Sequence, residues 1–148
     1  MNDNQNIYPP AAVEAIIRDS RTLGFEMLSE PLTGSLLRTL AGSKPAGKLL
    51  ELGSGSGLST AWLLDGMDKQ STLSTVDNAA QLLSVLHRHL GGDTRLKAVR
   101  ADGDELIASL KGQQFDLIFA DTWSGKYRLL EETLSLLKPG GLYIIDDM

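Results

Sequence analysis

Apolar positions change their spacing about a third of the way along the chain. Before residue 46 they recur at helical intervals. Ala12, Val13, Ile16, Ile17, Leu23 and Met27 trace one such face, and Leu36, Leu37 and Leu40 trace another. Pro9 and Pro10 suit a first helical turn, Gly24 interrupts the late part of that helix, and Pro31 ends it. Thr33 or Ser35 is placed to cap the second helix, and residues 42–47 read as a loop. From Lys48 onward short apolar runs alternate with amphipathic stretches. Residues 48–52 (KLLEL), 72–76, 95–99, 115–120 (FDLIFA) and 142–145 predict strands. Residues 58–67, a face of Leu82, Leu83, Leu86 and Leu90, residues 104–110 and residues 127–137 predict helices. Gly91-Gly92 and Pro139-Gly140-Gly141 read as turns, and FDLIFA is apolar enough to be a central strand.

Five alternations of strand and helix after leading helices predict an α/β fold with an open, mostly parallel sheet covered on both faces. Right-handed crossovers restrict this to a doubly wound, Rossmann-like arrangement. The expected organisation is one domain over residues 1–148, with N-terminal helices in 1–46 and a Rossmann-like core in 47–148. Residues 2–6 are polar and expected to fray.

Composition narrows the function. The 148 residues include no cysteine, which excludes a disulfide framework, a thiolate zinc site and a cysteine nucleophile. A net charge of -5 disfavours gripping nucleic acid by its phosphates, and 5% aromatic residues disfavour a base-stacking surface. No apolar run approaches the roughly 18 residues of a membrane helix, and the polar N-terminus lacks a secretory pattern. The expectation is a cytoplasmic protein that engages neither nucleic acid nor membrane.

The densest signal is Glu51-Leu52-Gly53-Ser54-Gly55-Ser56-Gly57, between the first strand and its helix. Glycines there permit positive φ and close approach to a ligand, and the following helix start favours a negative group. The spacing is GxGxG, since the third glycine of a dinucleotide motif would fall on Leu58. Asp77 closes the second strand, where a carboxylate can accept hydrogen bonds from both ribose hydroxyls. The competing role is a cap for the next helix, which the neighbouring Asn78 could also fill. Asp102 and Gly103 follow the third strand and suit either an adenine edge or a cap.

ELGSGSG, Asp77, ADGDEL at 101–106 and LLKPGG at 136–141 together resemble class I S-adenosylmethionine-dependent methyltransferases. FDLIFADTWSGKY at 115–127 and IIDD at 144–147 narrow the resemblance to small-molecule O-methyltransferases of the catechol and caffeoyl-CoA type. It covers roughly residues 33–148 and implies strand order 3-2-1-4-5. It also implies that Glu51, Gly53, Ser54, Gly55 and Ser59 surround the methionine part of S-adenosylmethionine, Ser59 bonding its carboxylate. Asp77, with Asn78 beside it, would hold the ribose, Asp102 and Gly103 the adenine amine, and Trp123 the space between cofactor and acceptor. Asp121, Asp146 and Asp147 fall on the family's metal positions, so Mg²⁺ or another divalent cation is implied as an aid to deprotonating the acceptor. Strands four and five should be neighbours, which would bring Asp121 and Asp146 together; such clustered carboxylates suit a hard cation. One departure stands out: the family's lysine, three residues past the first metal aspartate, is Ser124 here. Asp121, Asp147 and Lys126 are then the candidate catalytic groups.

His87 and His89 lie two apart on one helix and face different ways, which argues against a shared metal. Two other functions remain at this point, a nicotinamide-dependent oxidoreductase and a non-catalytic S-adenosylmethionine-binding module. The expected partner is a small hydroxylated molecule. Antiparallel strands six and seven of the family have no counterpart, which suggests a shortened form or a homodimer that covers the edge of strand five.

Overall fold

The computed structural model describes residues 6–147. Two helices lead, α1 (Val13–Thr22) and α2 (Pro31–Gly42). There follow β1 (Lys48–Leu52), α3 (Leu58–Gly66), β2 (Thr72–Asp77), α4 (Ala80–Leu90), β3 (Leu96–Arg100), α5 (Gly103–Ser109), β4 (Phe115–Ala120), α6 (Leu130–Leu134) and β5 (Leu137–Ile145). The five strands form one parallel sheet in the order β3-β2-β1-β4-β5. This is the Rossmann-like order expected. Among the described residues no helix is long and apolar enough to cross a membrane.

The sheet is central because its middle strands are apolar on both faces. Successive residues alternate between two cores. Leu49, Leu117 and Phe119 point to one, with Leu37 of α2 and Leu63 of α3. Leu50, Leu52, Ile118 and Ala120 point to the other, with Ile107 of α5 and Leu136. A third cluster, Val13 and Ile16 with Leu58, Trp62 and Val85, fastens α1 across α3 and α4. The helices α2 and α3 meet very closely: a Cβ added at Gly34 would lie 2.4 Å from the Trp62 ring, and one at Gly66 would lie 2.0 Å from the Arg38 carbonyl oxygen.

Several boundaries differ from the sequence expectation. Pro9 and Pro10 precede α1, and the Pro10 carbonyl accepts from Val13 N–H. α1 ends at Thr22 because Gly24 (φ 73) closes it. Gly24 N–H donates to Arg21 O and Phe25 N–H to Ser20 O, a Schellman turn. Pro31 starts α2 at its first position and does not merely end the preceding helix; Glu30, not Thr33 or Ser35, is the N-cap. The helix expected over 127–137 shrinks to α6. Trp123 O accepts from both Tyr127 N–H and Arg128 N–H, which holds that stretch in a turn, and Leu129 is left-handed at φ 52. Leu130 and Leu134 are exposed. β5 begins early, at Leu137. Phe115 pairs with Leu137 and Leu117 with Leu142, so Pro139-Gly140-Gly141 bulges out of a strand and does not precede one.

Candidate cofactor and active site

Sheet register lines up the chemistry. Leu52 pairs with Val76 on one side and Ala120 on the other, and Ala120 pairs with Ile145. The next residues, Gly53, Asp77, Asp121 and Asp146, therefore form one row across the carboxyl ends of four strands. Ligands of open α/β sheets bind along such a row, where the strand order reverses.

The glycine turn fills the centre of this row. Gly53, Gly55 and Gly57 have φ of 89, 52 and 100. A Cβ at Gly53 would meet the Thr122 side chain at 2.9 Å and the Asp121 carbonyl at 3.0 Å, so no larger residue fits there. Gly53 and Ser54 N–H donate to Val76 O. Asp77 holds the rest of the turn: its Oδ2 accepts from Gly55 N–H at 2.9 Å and its Oδ1 from Ala79 N–H at 2.9 Å. Asp77 thus closes the turn and holds Ala79, the residue that precedes α4, while each carboxylate oxygen keeps a further lone pair. Ser20 of α1 donates to Ile16 O and approaches Ser56 Oγ at 2.7 Å. Phe25 covers the turn, its ring 3.2 Å from where a Gly55 Cβ would be.

Glu51 lies beneath the turn and is fully buried. Ser59 donates to its Oε1 at 2.5 Å, and Thr60 and Thr75 donate to its Oε2 at 2.6 and 2.7 Å. Burial pushes the Glu51 carboxyl above its ordinary range, and the three hydroxyl donors oppose that shift. The residue ties β1 to β2 and to the first turn of α3. It does not line the cleft, contrary to the expectation of direct cofactor contact.

The acidic end of the row is less orderly. Burial raises the Asp121 carboxyl from 3.8 to about 6, with Asp146 and Asp147 adding repulsion and Lys126 relieving it. Asp146 N–H donates to Ala120 O, which confirms the side-by-side placement of Asp121 and Asp146. Lys126 reaches this point, its ammonium donating to the main-chain oxygens of Asp146, at 2.6 Å, and of Asp147. Asp146 Oδ1 accepts from Asp147 N–H. Among the described residues no three acidic or histidine side chains converge as a cation cage. The implied set of Asp121, Asp146 and Asp147 does not fit Mg²⁺ in this geometry, and the cation within reach is the Lys126 ammonium. Ser124, at the family's lysine position, is buried and donates to Asp104 Oδ1 at 2.6 Å. That side chain faces away from acceptor chemistry.

A cleft of ≈ 550 Å³ joins these parts. Gly53, Ser54, Gly55, Ser59, Asp77, Asp121, Trp123, Lys126, Asp146 and Asp147 all line it. Asn78, Asp102 and Gly103 do not. Asp102 caps α5 by accepting from Asp104 N–H at 2.8 Å and Glu105 N–H, the alternative that its position allowed. His89 Nε2 meets Asp19 Oδ2 at 2.7 Å. The segment from Phe25 to Glu30, together with Thr33, forms a wall of the cleft that the sequence reading missed. Gly24 as a helix-closing glycine was the available signal, because it turns Phe25 back toward the glycine turn. Met27, Trp123 and Tyr127 stand at the rim, 83%, 65% and 56% exposed.

A positively disposed turn, a strand-end carboxylate and an apolar, aromatic mouth suit a nucleoside with a charged tail. The glycine cradle and the cleft volume fit S-adenosylmethionine. A family model described as a methyltransferase domain matches residues 50–148. A Mycobacterium sp. (strain JLS) protein provisionally named an O-methyltransferase is 29% identical over 120 residues, covering 78% of this chain and 54% of that protein. The chain thus spans about half the length of the curated relatives it matches. An O-methyltransferase from Bacillus cereus, solved with SAH, superposes with a TM-score of 0.86 at 20% identity, covering 97% of this chain and 69% of that one. The O-methyltransferase TomG from Streptomyces achromogenes, solved with SAM, gives a TM-score of 0.86 at 19% identity, over 97% and 68% of the two chains. These superpositions establish the shared fold, and the match over residues 50–148 places the chain in the methyltransferase-domain family.

Proposed function

We propose that this chain binds S-adenosylmethionine in the cleft and carries the cofactor half of an O-methyltransferase for small hydroxylated molecules. The observation that carries this reading is the single row of Gly53, Asp77 and Asp121 opening into one cleft. The names of the relatives support the O-methyl class, and membership of a methyltransferase family disfavours the nicotinamide alternative.

Each part has a task. The free N–H groups at the start of α3 receive the carboxylate of the methionine tail. The spare lone pairs of Asp77 receive the ribose hydroxyls. Bound there, the cofactor supplies a methyl group on a sulfonium. Trp123 and Met27 shield that centre from water and restrict the approach of the acceptor. Alignment of this kind is worth several kcal/mol, about 7–11 in favourable intramolecular models. Asp121, with a pKa of about 6, is placed to accept the proton of the acceptor hydroxyl. Lys126 orients that end by holding the last carbonyls of the Asp146-Asp147 segment.

Titration calorimetry with S-adenosylhomocysteine is the direct test. Saturable 1:1 binding is expected, and its absence in the folded protein would sink the reading. A methyl-transfer assay over a panel of phenols, with and without Mg²⁺, then separates an enzyme from a non-catalytic binding module. Turnover lost in Asp121→Ala supports the enzyme.

A further inference from the structure

Ser124, the departure at the family's lysine position, belongs to a clamp outside the cleft. It is buried against the start of α5, where a Cβ added at Gly103 would lie 2.6 Å from its Cβ and Oγ. Asp104 is the hub of the clamp. Its Oδ1 accepts from the Ser124 hydroxyl at 2.6 Å and its Oδ2 from Arg128 Nε at 2.7 Å. The Ser124 hydroxyl first, and then Arg128, hold the Asp104 carboxyl below its ordinary range against partial desolvation. It is therefore ionised at neutral pH, and both oxygens accept. Gly125 N–H donates to Arg128 O at 2.7 Å, and the Tyr143 hydroxyl donates to Gly125 O. Residues 124–128 are thus closed on themselves and pinned between α5 and β5. This stretch and Trp123 before it present three cleft side chains, Trp123, Lys126 and Tyr127. The Trp123 and Tyr127 rings, 5.3 Å apart, are both exposed, so their placement depends on the backbone that carries them.

We infer that Asp104 is a positioning residue: through Ser124 and Arg128 it fixes the loop that presents Trp123, Lys126 and Tyr127 to the methyl acceptor. Asp104, Ser124 and Arg128 do not line the cleft, so they act on geometry and not by touching a ligand. The position held by a lysine in the resembling family here anchors the loop. The loop's own lysine, two residues on, reaches the acidic row instead.

The inference rests on reading the cleft as the S-adenosylmethionine site, and the test keeps the two apart. The chain has two tryptophans, Trp62 in the core and Trp123 on the loop, so fluorotryptophan labelling gives one fluorine NMR signal for each. Asp104→Ala and Arg128→Ala are expected to shift the Trp123 signal and leave the Trp62 signal in place. The double variant should match the single ones, because each change opens the same clamp. Asp104→Asn keeps an oxygen for Ser124 but gives up the charge that holds Arg128, so its Trp123 signal should fall between wild type and alanine. In methyl transfer to phenols, Asp104→Ala should lower kcat by up to about a hundredfold, the cost of a misplacement of about 1 Å, with S-adenosylhomocysteine affinity nearly unchanged. A Trp123 signal that stays put in Asp104→Ala, or a wild-type kcat in that variant, overturns the inference. So does an equal shift of both tryptophan signals, which would mark a general loosening. Absence of S-adenosylhomocysteine binding by the wild type overturns the proposed function instead.

Discussion

Asp77→Ala separates the two jobs of one carboxylate. In the folded chain Asp77 accepts from Gly55 N–H and Ala79 N–H, both at 2.9 Å. The site is half-buried, so water can replace part of what is lost, and each bond contributes about 0.5–1.5 kcal/mol. The combined loss of stability is about 1–3 kcal/mol, or a fall in melting temperature of roughly 2–12 °C for a chain of this size. Ligand binding should suffer separately. Hydrogen bonds to a charged acceptor contribute about 1.5–3 kcal/mol, which is a roughly 10- to 150-fold loss of S-adenosylhomocysteine affinity. Asp77→Asn refines the test. It keeps one oxygen, enough for one of the two N–H donors, and puts an amide nitrogen opposite the other. Its stability should lie between wild type and alanine, and its affinity should still fall because the charge is gone. Thermal melts without ligand read the first quantity, and calorimetry reads the second. If Asp77→Ala melts low yet binds S-adenosylhomocysteine within threefold of wild type, the carboxylate is a turn clamp only and the ribose assignment is wrong.

Gly34→Ala should destabilise the chain although alanine favours helices by about 1 kcal/mol. The new Cβ would lie 2.4 Å from a Trp62 ring that is only 1% exposed, and overpacking costs about 1–3 kcal/mol, so a lower melting temperature is expected and an increase would refute the close packing of α2 on α3. Asp121 has a folded-state pKa raised from 3.8 to about 6, so its contribution to stability is complete below pH ~4 and is lost as pH rises through ~6. Asp121→Asn does not titrate and should therefore gain stability relative to wild type at pH 8 but not at pH 4; equal differences at both would contradict the shift. Lys126 lowers the Asp121 pKa, so Lys126→Met should move the Asp121 midpoint upward in carboxyl-resolved NMR titrations, and a downward or absent shift would place the ammonium elsewhere.

Legibility in the sequence followed the strength of local signals. The strands of the sheet centre were plain because FDLIFA and KLLEL are apolar on both faces, a pattern that only a covered parallel strand satisfies. The glycine turn was plain because three glycines in five residues have little other use. The stretch from Tyr127 to Leu137 misled because its leucines carry helical spacing, whereas the Trp123 carbonyl traps its first residues in a turn and β4 recruits its last. No periodicity encodes either competitor. Met27 carries the helical spacing of α1, whereas the turn at Gly24 ends that helix and sends Phe25 and Met27 to the cleft. Glu51 was read as a ligand contact because its position in the motif is legible, while its partners Thr60 and Thr75 are tertiary and are not.

Register explains why some strand-end residues reach the site and others do not. Val76 pairs with Val99, so Asp77 stands beside Arg100, and Asp102 lies two residues beyond the row that contains Gly53, Asp77, Asp121 and Asp146. At that distance past the strand the chain has already turned into α5, and Asp102 Oδ1 accepts from the Asp104 and Glu105 N–H groups of that helix. Asp77, inside the row, also meets the next helix start, but it faces the glycine turn on its other side and therefore remains at the cleft. A strand-end carboxylate is thus a site residue only when a neighbouring strand ends level with it. By this criterion Asp77, Asp121 and Asp146 are the carboxylates that stand level with one another at the cleft, and Asp102 is not one of them.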